Sequence, residues 1–127
     1  MSDVVTLRLP RERDFLGVAH LVLGGLGARF GLTYDVLEDM TTAIDELVDR
    51  REATEDVTLE VQIGEDSLTA TVGPFSGRVV DELHASDAGL GLRRVLETVV
   101  DDVAVQTRDG ANWVELRKHV EKVADAG

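Results

Sequence analysis

The sequence predicts an α+β fold, a two-layer sandwich in which helices cover one face of a mostly antiparallel sheet. Two observations lead to this prediction. Apolar and polar residues alternate in several short segments, as in half-buried strands, while the longer segments between them repeat apolar residues at helical spacing. Neighbouring strand segments are joined by short polar turns, which is typical of antiparallel hairpins.

The first strand is predicted over residues 5–9, where apolar and polar side chains alternate up to a proline that cannot continue a ladder. A helix is predicted from Arg11 to about Phe30. Each glycine inside a helix costs about 1 kcal/mol relative to alanine. We therefore expect this helix to bend or fray in its second half, or to pack closely against a neighbour through Gly24, Gly25 or Gly27.

The second helix has the clearest pattern in the chain. Thr33 can cap a helix that begins at Tyr34, because a threonine oxygen accepts from a free N–H of the first turn. Acidic residues occupy most of the outward positions. The apolar positions fall on one helical face: Val36, Leu37, Met40, Ala43, Ile44, Leu47 and Val48.

A hairpin is predicted next. Residues 57–63 alternate as a strand, and a polar turn over residues 64–67 leads into a second strand over residues 68–72. Residues 73–88 show neither period, so we predict that they form the longest irregular stretch of the chain.

A third helix and a second hairpin complete the prediction. The helix begins at Leu90 or Leu92 and includes apolar positions as far as Val100. Two strands follow, and the dipeptide Asp109-Gly110 between them is typical of a tight hairpin turn.

Composition limits the possible functions. The 127 residues fit one domain, which we assign to residues 1–120, with a flexible polar tail over residues 121–127. The net charge of −12 argues against direct binding to nucleic acid, which needs a basic surface. There is no cysteine and the three histidines are scattered, so we expect no metal site. No apolar run is long enough to span a bilayer, and we expect a cytoplasmic protein that does not bind membranes.

Three segments together resemble a known family: EDMTTAIDELVDR at residues 38–50, LTATVGPFSG at residues 68–77 and AGLGLRRVLETVVDDVAVQT at residues 88–107. In this order they are similar to the anti-sigma factor serine kinases of the RsbW and SpoIIAB type. These bacterial proteins are small members of the GHKL, or histidine-kinase-like, ATPase superfamily. The resemblance implies the Bergerat ATPase fold over nearly the whole chain.

In that family the acidic helix carries a catalytic glutamate and, four residues later, an asparagine that binds the magnesium bridging the ATP phosphates. The resemblance places the glutamate at Glu46 and the asparagine at Arg50. Arginine has only donors and a fixed positive charge, so it cannot take the place of an oxygen ligand to magnesium. The simpler alternative is that Glu46 and Arg50 form an i,i+4 ion pair on the helix surface.

The family also carries an Asp-x-Gly-x-Gly box, whose aspartate accepts a hydrogen bond from the adenine amino group. That aspartate position is Gly73 or Pro74 in this sequence, and the last glycine of the box is Gly77. Neither residue at the aspartate position has an acceptor side chain. The alternative is that these residues form an ordinary turn after a strand.

The third segment keeps the glycines of the family. Gly89 and Gly91 precede a helix whose first N–H groups could hold a phosphate, and Arg93 and Arg94 add positive charge nearby. The alternative is that the two glycines only shape the loop.

The last strand departs from the family in its first residues. Where the family has Gly-Thr, this chain has Ala111-Asn112. Trp113 follows, and a tryptophan in a strand is most often part of the core. A family scaffold that has lost most of its nucleotide-contacting residues is typical of a pseudokinase.

We therefore expect a homodimeric regulatory protein that binds a sigma factor or an anti-anti-sigma protein and needs no cofactor. The family holds the sigma factor around its first helix, which gives Arg11, Arg13, Phe15 and His20 as candidate contacts. The alternative is an active serine kinase that uses ATP and magnesium, with Glu46 as the base. An acidic domain of unrelated function is a third possibility.

Overall fold

The computed structural model describes residues 3–9, 16–49, 56–84 and 91–120. Its strands form one antiparallel sheet in the order β1-β2-β3-β5-β4, and its helices pack on one face, which confirms the predicted α+β sandwich. The elements are β1 (Asp3–Leu9), α1 (Leu16–Phe30), α2 (Tyr34–Val48), β2 (Val57–Ile63), β3 (Ser67–Phe75), α3 (Gly77–His84), α4 (Leu92–Glu97), β4 (Asp102–Arg108) and β5 (Ala111–His119).

The two faces of the sheet differ because strand side chains alternate. On β2, Leu59 and Val61 are buried beneath the helices, while Glu60 and Gln62 lie on the open face. Residues that pair across strands share a face, so Leu59 lies beside Leu7 of β1 and Val72 of β3. The inner face is therefore mainly apolar, and we call the opposite, uncovered side the outer face.

Helix α2 has the predicted cap and the predicted apolar face. Thr33 is extended, and its Oγ1 accepts a hydrogen bond from the backbone N–H of Val36 at 3.3 Å. Leu37 is partly buried and packs against the core. The other six apolar positions of the predicted face are buried: Val36, Met40, Ala43, Ile44, Leu47 and Val48.

Helix α1 is continuous through its glycines to Phe30, and of the expected alternatives the close approach to a neighbour is confirmed. Gly27 packs against Leu37 of α2, and a Cβ at Gly27 would collide with the Leu37 side chain. Gly24 and Gly25 have no neighbour within 4 Å of such a Cβ. The helix ends at Gly31, whose φ of 69° reverses the chain and lets the Leu32 N–H reach the Gly27 carbonyl at 3.0 Å.

The prediction of an irregular stretch over residues 73–88 was wrong for its described part. Strand β3 continues to Phe75, and α3 follows at once from Gly77, while residues 85–90 lie outside the described residues. Only Val79 and Leu83 of α3 are buried. Such a short helix, with two apolar contacts one turn apart, gives too weak a period to predict from sequence.

The second half of the sheet matches the prediction more closely. Helix α4 begins at Leu92 but ends at Glu97, so Val99 and Val100 follow the helix instead of belonging to it. Asp109 and Gly110 have φ values of 51° and 78°, which confirms the tight turn between β4 and β5. Residues 121–127, the predicted tail, lie outside the described residues.

Candidate functional site

The last turn of α2 carries Glu46, the predicted catalytic residue. Glu46 is half-buried and lies two turns after Asp39, on the same flank of the helix. The Asp39 carboxylate pairs with the Lys118 ammonium of β5 at 3.1 Å, so this flank faces β5. Arg50, the residue at the family's magnesium-binding position, lies outside the described residues.

The end of β3 holds the position where the family has its adenine-binding aspartate. Gly73 is buried and pairs with Thr58 of β2 instead of forming the alternative turn. A Cβ at Gly73 would lie 2.6 Å from Cδ2 and 2.7 Å from Cγ of Trp113. Real Cβ contacts are not this short, so the indole occupies the space that a side chain at Gly73 would need. Pro74, the other possible aspartate position, is exposed and has no acceptor.

Trp113 was predicted to lie in the core, and the structure corrects this. It is half-buried on the outer face, because its neighbour Val114 takes the inward position of β5. The Arg108 guanidinium lies 4.8 Å from the centre of the indole ring and donates to Glu60 Oε2 at 2.9 Å. The indole thus packs against Gly73 and also lies beside a paired arginine.

Phe75 and Asn112 replace small family residues beside this position. If the Asp-x-Gly-x-Gly box begins at Gly73, its central glycine corresponds to Phe75, which is 4% exposed. Phe75 pairs with Asn112 of β5, the residue at the family's threonine position. The Asn112 side-chain amide donates to the Phe75 carbonyl at 3.5 Å, so it is turned toward the protein backbone.

The retained glycines take different structural positions. Gly77 is the first residue of α3, and Gly91 caps α4 without a side-chain hydrogen bond. Gly89 lies outside the described residues. Arg93, predicted to add charge near a phosphate, donates to the Val103 carbonyl at 3.1 Å and pairs with Glu97 at 3.7 Å. Its guanidinium is therefore already bound to α4 and β4.

Among the described residues, the position of the family's adenine-binding aspartate departs from the family pattern. The aspartate position offers no acceptor in either register, and the space beside Gly73 is filled by Trp113. Among the described residues, no group of three or more His, Asp or Glu side chains is placed to hold a metal ion. Within the same residues, no helix is both long and apolar enough to cross a bilayer.

Two open polar depressions, of about 200 and 280 Å³, lie near the turn between β2 and β3. Gln62 and Thr69 line one of them, and Asp66 and His119 line the other. Neither is lined by a residue that the sequence predicted for the nucleotide site.

Of the predicted partner contacts, only His20 is described, and Arg11, Arg13 and Phe15 lie outside the described residues. His20 is exposed on α1, and its Nε2 lies 2.8 Å from Asp45 Oδ1 on α2. Sequence reasoning missed Leu21, which is 78% exposed. The signal was present, because residues 16–28 contain no polar side chain except His20, so an apolar outward face is unavoidable.

No family model matches the chain. Comparison with individual known proteins finds similarity to serine-protein kinases named RsbW. The chain is 30% identical to serine-protein kinase RsbW of Bacillus velezensis in an alignment of 142 positions, which covers 93% of this chain and 86% of the relative. It is 28% identical to serine-protein kinase RsbW of Bacillus subtilis, covering 94% and 87%. The corresponding Listeria innocua protein is 27% identical, with coverage of 96% and 91%.

A solved structure has the same fold. It contains the RsbU and RsbW domains of a Mycobacterium tuberculosis protein and matches 96% of this chain with a TM-score of 0.68. The match covers 34% of that longer chain. At 14% sequence identity, this likeness concerns the fold alone.

Proposed function

Because the chain belongs to the RsbW family of anti-sigma factor serine kinases, we propose that it regulates transcription through protein binding alone. In this proposal it binds a sigma factor or an anti-anti-sigma protein and transfers no phosphoryl group. It works as a homodimer in the cytoplasm, and ATP and magnesium are not needed.

The packing of Trp113 on Gly73 is the observation that carries the proposal. An enzyme that selects adenine needs an acceptor for its amino group, and an unpaired buried donor costs about 1–3 kcal/mol. Gly73 supplies no acceptor, and the 2.6 Å approach of the indole leaves no room for one. The indole packs there on the outer face of the sheet, and the Arg108 guanidinium over its ring is paired with Glu60 of β2.

The remaining scaffold suits a binding protein. Binding a partner requires a stable surface, and the sheet and α2 form a continuous apolar core. A net charge of −12 would also favour encounters with a basic partner through long-range attraction. None of these properties depends on phosphoryl transfer.

The alternative function is an active serine kinase. It is favoured by Glu46, which lies half-buried at the family position, and by Gly91, whose cap leaves the start of α4 without a side-chain hydrogen bond. Phosphoryl transfer depends mainly on positioning and on metal charge. Arg50 at the family's magnesium-binding position weakens the use of metal charge, and Gly73 at the adenine-binding position weakens the positioning of the nucleotide.

Titration calorimetry with ATP and ADP, in the presence of magnesium, tests the proposal directly. We expect no binding heat at millimolar nucleotide. The RsbW protein of Bacillus subtilis, run in the same buffer, shows whether the assay detects nucleotide binding in a relative. Micromolar, magnesium-dependent binding by the present chain would make the kinase the better assignment.

The variant Arg50→Asn restores the family's magnesium-binding residue without restoring the adenine-binding aspartate. We expect Arg50→Asn alone to show no ATP hydrolysis, because adenine recognition is still missing at Gly73. Turnover by this single variant, measured by phosphate release, would show that the nucleotide site is more complete than proposed.

Charge reversal tests the partner contacts that the family resemblance predicts. The double variant Arg11→Glu, Arg13→Glu should weaken a purified complex with the partner. Arg117→Glu makes the same kind of change on the outer face of the sheet, where Arg117 is exposed, and serves as control. Unchanged affinity of the double variant would place the contact elsewhere.

A further inference from the structure

The two open depressions near the turn between β2 and β3 adjoin each other at one end of the sheet. Their volumes are about 200 and 280 Å³, and Ser67 and Arg117 line both of them. One water takes up roughly 30 Å³ in the liquid, so each depression has room for a molecule of several non-hydrogen atoms. The residues that line them belong neither to α1 nor to the family's nucleotide-binding positions.

Arg117 and Asp102 lie side by side next to these depressions without forming an ion pair. They are direct partners across β5 and β4 and share the outer face, where opposite charges normally attract each other. Within the described part of the chain, neither side chain makes an ion pair or a hydrogen bond. On the same face, Arg108 and Glu60 do pair, at 2.9 Å. Arg117 and Asp102 therefore leave one positive and one negative group open to a ligand.

The first depression, next to Arg117, offers donors for a carboxylate. Thr69 is the cross-strand partner of Arg117 on β3, and Ser67 lies two residues earlier on the same face. Both line the depression, and neither hydroxyl makes a hydrogen bond to another described residue. A guanidinium with hydroxyl donors beside it is suited to a carboxylate. Glu115, which also lines this depression, already accepts a hydrogen bond from the Gln106 amide.

The second depression has the opposite charge. Asp66 and Asp102 line it, and their carboxylates have no ion-pair partner in the described ranges. Asp101 also lines it, and its Oδ2 accepts a hydrogen bond from the backbone N–H of His119 at 2.6 Å. These carboxylates attract a cation and disfavour a ligand that is only anionic, whereas Arg117 disfavours a ligand that is only cationic. The two depressions together match a ligand that carries both charges.

We propose that this end of the sheet binds a small zwitterion with the chemistry of a free amino acid. The carboxylate of the ligand accepts hydrogen bonds from the Arg117 guanidinium and from the hydroxyls of Ser67 and Thr69. Its ammonium group lies against Asp102. Cross-strand partners have Cβ atoms only about 4.5–5.5 Å apart, so Arg117 and Asp102 can both reach the two charged groups of one small molecule.

This inference goes beyond the proposed function and does not rest on it. It adds a small-molecule site to a chain that is proposed to bind protein partners, and it uses none of the partner contacts predicted before α1. Arg117→Glu therefore remains a control for partner binding when no amino acid is added.

The test is nuclear magnetic resonance of the isotope-labelled full chain, with each standard amino acid added separately at millimolar concentration. We expect at least one of them to shift the backbone amide signals of Ser67, Thr69 and Asp102 in a saturable way. Propionate and ethylammonium are the matched probes, because they correspond to L-alanine without its ammonium group and without its carboxylate. Both should shift these signals much less than the amino acid does.

Two pairs of variants locate the site. Arg117→Gln and Asp102→Asn should each weaken binding of the amino acid by about tenfold, because each removes one charged contact of the ligand. Arg78→Gln and Asp81→Asn make the same changes at exposed positions of α3 and should leave the affinity unchanged. The amide spectrum of each variant also shows whether it is folded.

Three outcomes would overturn the inference. If no amino acid shifts the signals of this end of the sheet, there is no such site. If propionate binds as tightly as the amino acid, the site takes anions and the assignment of a zwitterion is wrong. If binding is unchanged in both Arg117→Gln and Asp102→Asn, the ligand lies elsewhere on the chain. The proposed function is unaffected by all three, because it is tested by nucleotide and partner titrations.

Discussion

Helices α1 and α2 have the same length of 15 residues and pack against each other, yet their sequences are opposite in kind. Helix α2 separates apolar from acidic residues and buries six of the apolar ones. Helix α1 contains four glycines and almost no polar residues, and it buries only part of its apolar surface. Its exposed side contributes nothing to the core.

The difference shows that two neighbouring helices can contribute unequally to the stability of one helical layer. An amphipathic helix gains its stability from the face that it buries in its own fold. A helix that leaves an apolar face open gains nothing from that face until a partner covers it. The stability of the helical layer is therefore expected to come mainly from α2, while α1 leaves Val18 and Leu21 exposed.

The largest expected difference in stability change is between two leucine variants, one in each helix. Leu47 of α2 is fully buried, whereas Leu21 of α1 is 78% exposed. Leu47→Ala should lower the free energy of unfolding by about 2–5 kcal/mol, through lost burial and a cavity. Leu21→Ala should change it by no more than about 0.5 kcal/mol. Chemical denaturation followed by circular dichroism measures both.

Similar losses in the two variants would contradict the division between the helices. A large loss for Leu21→Ala would mean that its side chain is covered in solution, for example by a second copy of the chain. Repeating the denaturation at several protein concentrations separates that case, because a dimer becomes more stable as its concentration rises.

The sequence predicted the parts of the fold that depend on a regular period. The cap at Thr33, the apolar face of α2 and the two hairpins all follow from local spacing, and all are present. The segment after Val72 was mispredicted, because Gly73-Pro74 suggested a turn while pairing with β2 and β5 keeps it in the sheet. Pairing with strands that are distant in sequence determines the conformation of that segment, and such pairing leaves no pattern in the local sequence.

The candidate site was located from sequence only in part. The family motifs identified Gly73 and Gly91 as positions of interest. The contact between Gly73 and Trp113 joins residues that are far apart in the chain, so no motif could have predicted it. The exposed face of α1 could have been predicted, because the absence of polar residues around a whole helix is visible in the sequence.

The cap at the start of α2 gives the next largest expected change in stability. Thr33→Ala removes the side-chain oxygen that accepts from the Val36 N–H at 3.3 Å, and should cost about 1 kcal/mol of stability. Thr42→Ala is the matched control, because Thr42 is exposed within α2 and bonds only the Glu38 carbonyl, at 2.9 Å. Thermal unfolding compares the two. Equal stability of Thr33→Ala and the wild type would show that the cap does not contribute to α2.

The glycines of α1 provide a comparison within one helix. Gly24→Ala should stabilise the protein by about 0.5–1 kcal/mol, since alanine favours a helix and nothing lies within 4 Å of the new methyl group. Gly27→Ala should lack this gain, because its methyl group would displace the Leu37 side chain. Urea denaturation of both variants measures the difference. An equal gain from both would mean that α1 and α2 separate easily, and that Gly27 is not needed for their contact.

The contact between His20 Nε2 and Asp45 Oδ1, at 2.8 Å, is the smallest expected contribution, although it is a polar link between the two helices. Its side chains are 41% and 35% exposed, and pairs this open to solvent contribute about 0.2–1 kcal/mol. A double-mutant cycle with His20→Ala, Asp45→Ala and both together isolates the pair by its coupling energy. Measured by urea denaturation at low and high salt, that energy should be small and should fall as salt rises. A coupling above about 2 kcal/mol would mean that the contact fixes α1 against α2, and that α1 contributes more to the stability of the helical layer than its exposed side suggests.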